Sequence, residues 1–200
     1  MTRYTPPRVL LLLAGCVVLG TGVGLLLTAD LGSDGYSTLV NGISRASGVS
    51  FVWCNLAVSA AFVLLAVARG LFPDVGTVVQ IVVVGFTVSF VLGLLEVPEG
   101  LLGRSALLVV AFPVLAVGIA GYLGSNLGAG PAEGAAIAWD PPVPFRWSYS
   151  AVQGGGAVVG WLLGAAVGPG TFAVILLLGP AVDLAAGVLR VNVTQGRADR

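Results

Sequence analysis

Residues 30–44 read DLGSDGYSTLVNGIS, and residues 126–138 read NLGAGPAEGAAIA. Each stretch opens with Asp or Asn, passes through a glycine-rich turn and sits between long apolar runs. At an offset of 96, Asp30-Leu31-Gly32 faces Asn126-Leu127-Gly128, and Gly22-Val23-Gly24 faces Gly118-Ile119-Ala120. After a slip to 94, Phe51 and Trp53 face Phe145 and Trp147, Gly76-Thr77 faces Gly170-Thr171, and Gly85 faces Gly179. Shared Leu and Val would follow from composition alone. Matched LG, FxW and GT at a nearly fixed offset do not, so the chain reads as a duplicated unit.

Composition fixes the solvent. Of the 200 residues, 57% are hydrophobic and only 9% charged, with a mean hydropathy of +1.02. A soluble domain carries about 25% charged residues, so most of these side chains require lipid. Nine Arg balance nine Asp and Glu, which excludes a basic nucleic-acid surface. His is absent and Cys16 and Cys54 lie in apolar runs, which argues against a His-ligated metal, a Cys/His nucleophile and a structural disulfide. No cofactor and no catalytic group are expected, and an enzyme is the last choice.

Crossing ~30 Å of hydrocarbon takes about 20 apolar residues. Six windows qualify: Val9–Thr28, Phe51–Ala68, Gly76–Leu95, Ser105–Gly124, Ser148–Val167 and Thr171–Leu189. Five spans with one window re-entrant is the alternative. Leu13-Ala14-Gly15-Cys16 matches a lipobox, but the apolar run before it is short and hydrophobicity continues to Leu27, which favours an uncleaved first helix. With six spans, Arg3, Arg8, Arg69, Arg146, Arg190, Arg197 and Arg200 fall on one side and Arg45 and Arg104 on the other. The positive-inside rule then puts both termini in the cytoplasm.

The expectation is thus an all-α integral membrane protein, a single membrane domain over 1–200. Its repeats cover about 9–95 and 105–190, with polar tails at 1–8 and 191–200. Three spans per repeat is an odd number, so the second repeat enters the bilayer inverted, the layout of many secondary transporters. In the first polar segment Tyr36, Leu39, Val40 and Ile43 alternate helically with Ser37, Thr38, Asn41 and Arg45, which predicts a short amphipathic helix over 34–46. Pro131 suits the first turn of its counterpart over 131–139. These helices either lie flat at the headgroups or dip inward to line a cavity. Their N-termini could hold an anionic or dipolar ligand, unless Asp34 or Ser33 caps the first of them.

The motifs LGSDGYSTLVNGIS, LGAGPAEG and GTFAVILLLGPAVD, set along about residues 18–190, resemble the YitT/YczE family of small bacterial membrane proteins. That resemblance implies a multi-span plasma-membrane protein with no established catalytic activity and, for most members, no known substrate. The chain departs from the pattern at Trp139-Asp140-Pro141-Pro142, where a basic amphipathic stretch is expected.

The candidate solute pathway comprises Asp30, Asp34, Asn41, Asn126, Glu133 and Asp183. Asp183 is the one acid inside a window; it either serves function or snorkels near Arg190. Asp30 and Asn126 either contact a ligand or cap helix C-termini. Glu133 falls in a first turn, where a carboxylate is favoured in any case. Asn55, Gln80 and Gln153 are amides within spans, either bonding helices together or lining a cavity. Trp53, Trp147 and Trp161 read as interfacial anchors. The leading expectation is a small-solute transporter or permease, with acids pointing to a cation, a zwitterion or proton coupling. A substrate-binding subunit of a larger transport complex and a non-transporting scaffold are the alternatives. The partners foreseen are the lipid bilayer, a small-molecule solute, and a second copy or a transport-complex subunit.

Overall fold

The computed structural model describes residues 4–140 and 142–191, with Arg146 as backbone alone. Pro141 and the tail arginines Arg3, Arg197 and Arg200 lie outside the described residues. The described chain is all-helical: α1 (Pro6–Ala29), α2 (Gly35–Ser47), α3 (Phe51–Val67), α4 (Val75–Leu94), α5 (Leu101–Gly124), α6 (Pro131–Ala138), α7 (Phe145–Leu162) and α8 (Pro169–Leu189). Both short polar segments become helices, and each apolar window becomes one longer helix.

Four helices, α1, α4, α5 and α8, are long and apolar enough to cross a membrane, so this is a multi-pass membrane protein. The other two windows fall short of that standard for different reasons. The third helix is apolar but has 17 residues. Helix α7 begins at Phe145 and stops at Leu162, earlier at both ends than the window Ser148–Val167. Ser148, Ser150, Gln153 and four glycines dilute its hydropathy. It stops because Gly164 takes φ 92°, letting Ala165 N donate to Gly160 O at 2.9 Å. Gly70, at φ 83°, closes α3 identically, with Leu71 N donating to Ala66 O at 3.0 Å. Such left-handed closures favour glycine because a Cβ would clash.

The core is the pairing of α1 with α5. Gly15 meets Gly121 and Tyr122, Leu19 meets Gly118, and Gly22 meets Leu115. As numbers rise along one helix they fall along the other, so the two run antiparallel. A Cβ on Gly22 would lie 2.7 Å from Leu115 N, and one on Gly118 would lie 2.5 Å from Leu19 Cα. Small residues let the backbones approach where lipid supplies no hydrophobic drive. Leu12, Cys16, Leu19, Leu26 and Leu115 are buried around this seam, and both cysteines are free thiols. Helix α4 packs on α1 and α8 on α5, while α2 packs on α7 and α6 on α3. The repeat offset turns each of these pairs into the other.

Loop contacts sort the helix ends. At one end Asp30, closing α1, pairs with Arg45 near the end of α2 at 2.6 Å, and Arg104 at the start of α5 lies 3.6 Å away. Arg45 also donates to Gly164 O, past the end of α7, at 3.2 Å. Gly170 N at the start of α8 donates to Leu31 O at 2.9 Å. At the other end Tyr4 donates to Asp74 at 3.1 Å, Gly76 N at the start of α4 donates to Leu127 O at 2.8 Å, and Arg69 Nε donates to Ala138 O at 3.4 Å. The Arg69 guanidinium also covers the Trp139 ring at 4.8 Å, where α6 ends. Successive long helices therefore alternate in direction.

Candidate functional site

Helix α2 packs closely against α7. Gly35 abuts Gln153 and Gly156 in the middle of α7, and Thr38 and Gly42 abut Gly160 nearer its end. A Cβ on Gly42 would lie 2.5 Å from Gly160 O, and one on Gly156 would lie 2.5 Å from Gly35 O. Helix α2 therefore starts beside the centre of α7 and runs along it, parallel, for about 10 Å between Gly35 and Gly42. Ser37, Thr38 and Asn41, expected on a polar face, are buried with Val40. Residues 30–34 lead inward and α2 leads back out.

Asp34 is the N-cap of α2 and accepts from Ser37 N at 2.9 Å. Glu133 occupies the third position of α6, after Gly130 as N-cap and Pro131 as first residue, and covers its own helix terminus. Each short helix thus carries its own carboxyl where its dipole is positive. This corrects the expectation that the N-termini could hold an anionic ligand, because the N–H groups already face carboxylates. Ser33 is not the cap; its hydroxyl lies 2.9 Å from Thr38 Oγ1.

The Asp34 charge bears on Glu133. Both are enclosed deep within the helices yet half-buried at their own surfaces, as groups lining a crevice are. Burial pushes the Asp34 carboxyl above its ordinary range, partly offset by the Ser37 N–H. Burial raises Glu133 as well and the Asp34 charge raises it further, while its own backbone N–H and the hydroxyls of Tyr122 and Tyr149 oppose the shift. Among the described residues, no arginine is among the groups that act on either.

A hydrogen-bonded chain joins the helix starts. Tyr36 N donates to Gln153 Oε1 at 3.1 Å, Gln153 Nε2 donates to Tyr149 OH at 2.8 Å, and Tyr149 bonds Glu133. On the other side Tyr36 OH donates to Asn55 Oδ1 at 3.1 Å and lies 2.6 Å from Ser59 Oγ. Asn55 Nδ2 is tied to Ile81 O at 2.9 Å. Sequence reading missed Tyr36, Ser59, Tyr122 and Tyr149. Tyr36 was counted with the apolar face of its helix, and the other three sit inside apolar windows. Ser59 and Tyr149 each stand four residues from an in-span amide, Asn55 and Gln153, and that spacing was the available signal.

The remaining candidates stand apart. Asp30 and Asn126 adopt left-handed backbone, φ 52° and 54°, where α1 and α5 end, which is the capping alternative; Asp30 is further engaged by its two arginines. Asn41 is 8% exposed and borders a shallow indentation of about 180 Å³, counting the part open to solvent, with Leu26, Asp30, Gly32, Thr38 and Ala166. Asp183 is exposed on the outer side of α8, whose inner side Val182, Ala185 and Ala186 bury against α5. It takes no part in the network around Asp34 and Glu133. Trp53, Trp147 and Trp161 are all exposed at ends of α3 and α7, where interfacial anchors belong.

A carboxyl pair ringed by tyrosines and lacking a base can do two things. It can hold a proton between two sites, or it can bind a cation through carboxylate charge and ring faces.

Comparisons with known proteins place the chain without assigning it a task. An uncharacterised protein of Haemophilus influenzae is 27% identical over 175 residues, covering 86% of this chain and 80% of that one. No solved structure matches. The matching family model bears no YitT or YczE name, so that likeness rests on the motifs alone. Residues 6–186 match the model of a family of unknown function, DUF6198, and to that family the chain belongs.

Proposed function

We propose that this protein is a six-span carrier of a small cation, built from two inverted repeats, with Asp34 and Glu133 as its central binding pair. One observation carries the reading. Each half contributes one half-length helix, the two start deep in the molecule from opposite ends, and each start bears a carboxyl, the two starts being linked through Gln153 and Tyr149. Broken helices meeting at a repeat interface are the usual construction of a transport site. The antiparallel α1–α5 seam and the exchange of packing pairs between halves support inversion. Alternating ends support six crossings, since α3 and α7 join loops at opposite ends of the molecule. Carboxyls without a basic partner favour a cation over an anion, and protonation of one of them would release it.

The test is flux. Proteoliposomes loaded with a pH-sensitive dye are challenged with gradients of Na⁺, K⁺ or tetramethylammonium. A cation-dependent pH change lost in Glu133→Gln and Asp34→Asn, both folded, supports the reading. No flux of any of the three, or flux unaltered by both substitutions, removes it.

A further inference from the structure

Where α4 and α8 begin, the two halves share one contact and differ in the next. Gly76 N donates to Leu127 O and Gly170 N donates to Leu31 O, at 2.8 and 2.9 Å. The next residues, Thr77 and Thr171, are also equivalent, and both are buried, at 6% and 4% exposure. Thr77 Oγ1 donates to Ala129 O at 2.7 Å, fastening the loop before α6 to the start of α4. Thr171 Oγ1 has no partner, and it is the single buried side-chain oxygen or nitrogen so left among the described residues. The acceptor equivalent to Ala129 is Ser33, whose carbonyl instead takes a long 3.4 Å bond from Thr38 Oγ1. A buried hydroxyl without a partner is costly, and its partner by symmetry lies in the neighbouring loop, which packs against Thr171 at Gly32.

We propose that Thr77 and Thr171 are alternating latches. In the state described here, loop 126–130 is fastened by Thr77 and loop 30–34 is not. In a second state the halves exchange roles: Thr171 Oγ1 donates to Ser33 O, displacing the weak Thr38 bond, and Thr77 lets go of Ala129. Each state then leaves one hydroxyl unpaired, so the two differ little in energy, as exchange between them requires. This inference rests on the inverted-repeat reading.

Hydrogen–deuterium exchange of the full chain in lipid nanodiscs tests it. Thr77→Val removes the latch in use and keeps the side-chain shape. Exchange over 126–134 should rise about fivefold, the worth of one net hydrogen bond, and exchange over 30–38 should fall as the second state fills. Thr77→Ser should restore the wild-type pattern. Thr171→Val disfavours the second state, so exchange over 126–134 should slow, and this variant decides alone if Thr77→Val does not fold. The proposal is overturned if Thr77→Val loosens 126–134 with 30–38 unchanged, or if Thr171→Val leaves 126–134 unaltered. Such a result leaves the repeat reading standing; that reading falls separately, if residues 49 and 143 label from one side of the membrane.

Discussion

Gly118→Ala is the most informative single perturbation of the packing. The new Cβ would lie 2.5 Å from Leu19 Cα and 2.9 Å from Leu19 Cβ, against ordinary contact at 3.4 Å or more. Backbone cannot rotate away as a side-chain tip can, so α1 and α5 must separate by nearly 1 Å. A gap of 0.5–1 Å forfeits roughly a quarter to a half of each contact's attraction. Leu19 and Leu115 are almost wholly buried at the seam. If about half of the ~40–60 contacts made by each cross it, at ~0.15 kcal/mol apiece, the loss is about 2–4 kcal/mol. Alanine returns about 1 kcal/mol through helix propensity, leaving a net cost of about 1–3 kcal/mol. Gly179→Ala is the control, since nothing lies within 4 Å of a Cβ there; it should be neutral or stabilising. Thermal unfolding in detergent, followed by circular dichroism, compares them. Gly118→Ala tolerated as well as Gly179→Ala would refute the close antiparallel seam.

Three other outcomes are expected. The raised Asp34 and Glu133 carboxyls hold protons that the unfolded chain releases at its ordinary values of 3.8 and 4.5; stability is therefore greatest below those values and is lost as pH rises from them to the raised values of the folded chain, and Glu133→Gln should flatten an unfolding-versus-pH series. Asp34→Ala removes the α2 N-cap and should cost about 1 kcal/mol, most of it restored in Asp34→Asn, by chemical denaturation. Asp183→Asn should leave both stability and flux unchanged, whereas a flux defect would return Asp183 to the pathway.

The positions of the helices were legible in the sequence, because apolar runs and the turns between them encode those. What the sequence left open was depth. The hydroxyl-bearing face of α2 reads as solvent-facing by composition, yet Gly35, Gly42, Gly156 and Gly160 let α7 bury it backbone against backbone. Glycine spacing held that information, but only knowledge of the facing helix turns it into contact. The same limit separated Asp34 and Glu133 from Asp30 and Asp183: each is an acid near an apolar run, and only the fold gives Asp30 its arginines and turns Asp183 outward. Tyr122 and Tyr149 lay hidden because a tyrosine within a span is ordinary until a carboxyl is found beside it.

Val49 and Val143 are equivalent in the two halves, and both are exposed, at 45% and 38%. Replace each singly by cysteine in a chain lacking Cys16 and Cys54, and treat intact cells with a membrane-impermeant maleimide. Inverted repeats predict that one of the two residues labels from outside and the other only after the membrane is opened, residue 49 being the outer one if the arginine bias sets the orientation. Labelling of both from the same side would contradict the account at its centre.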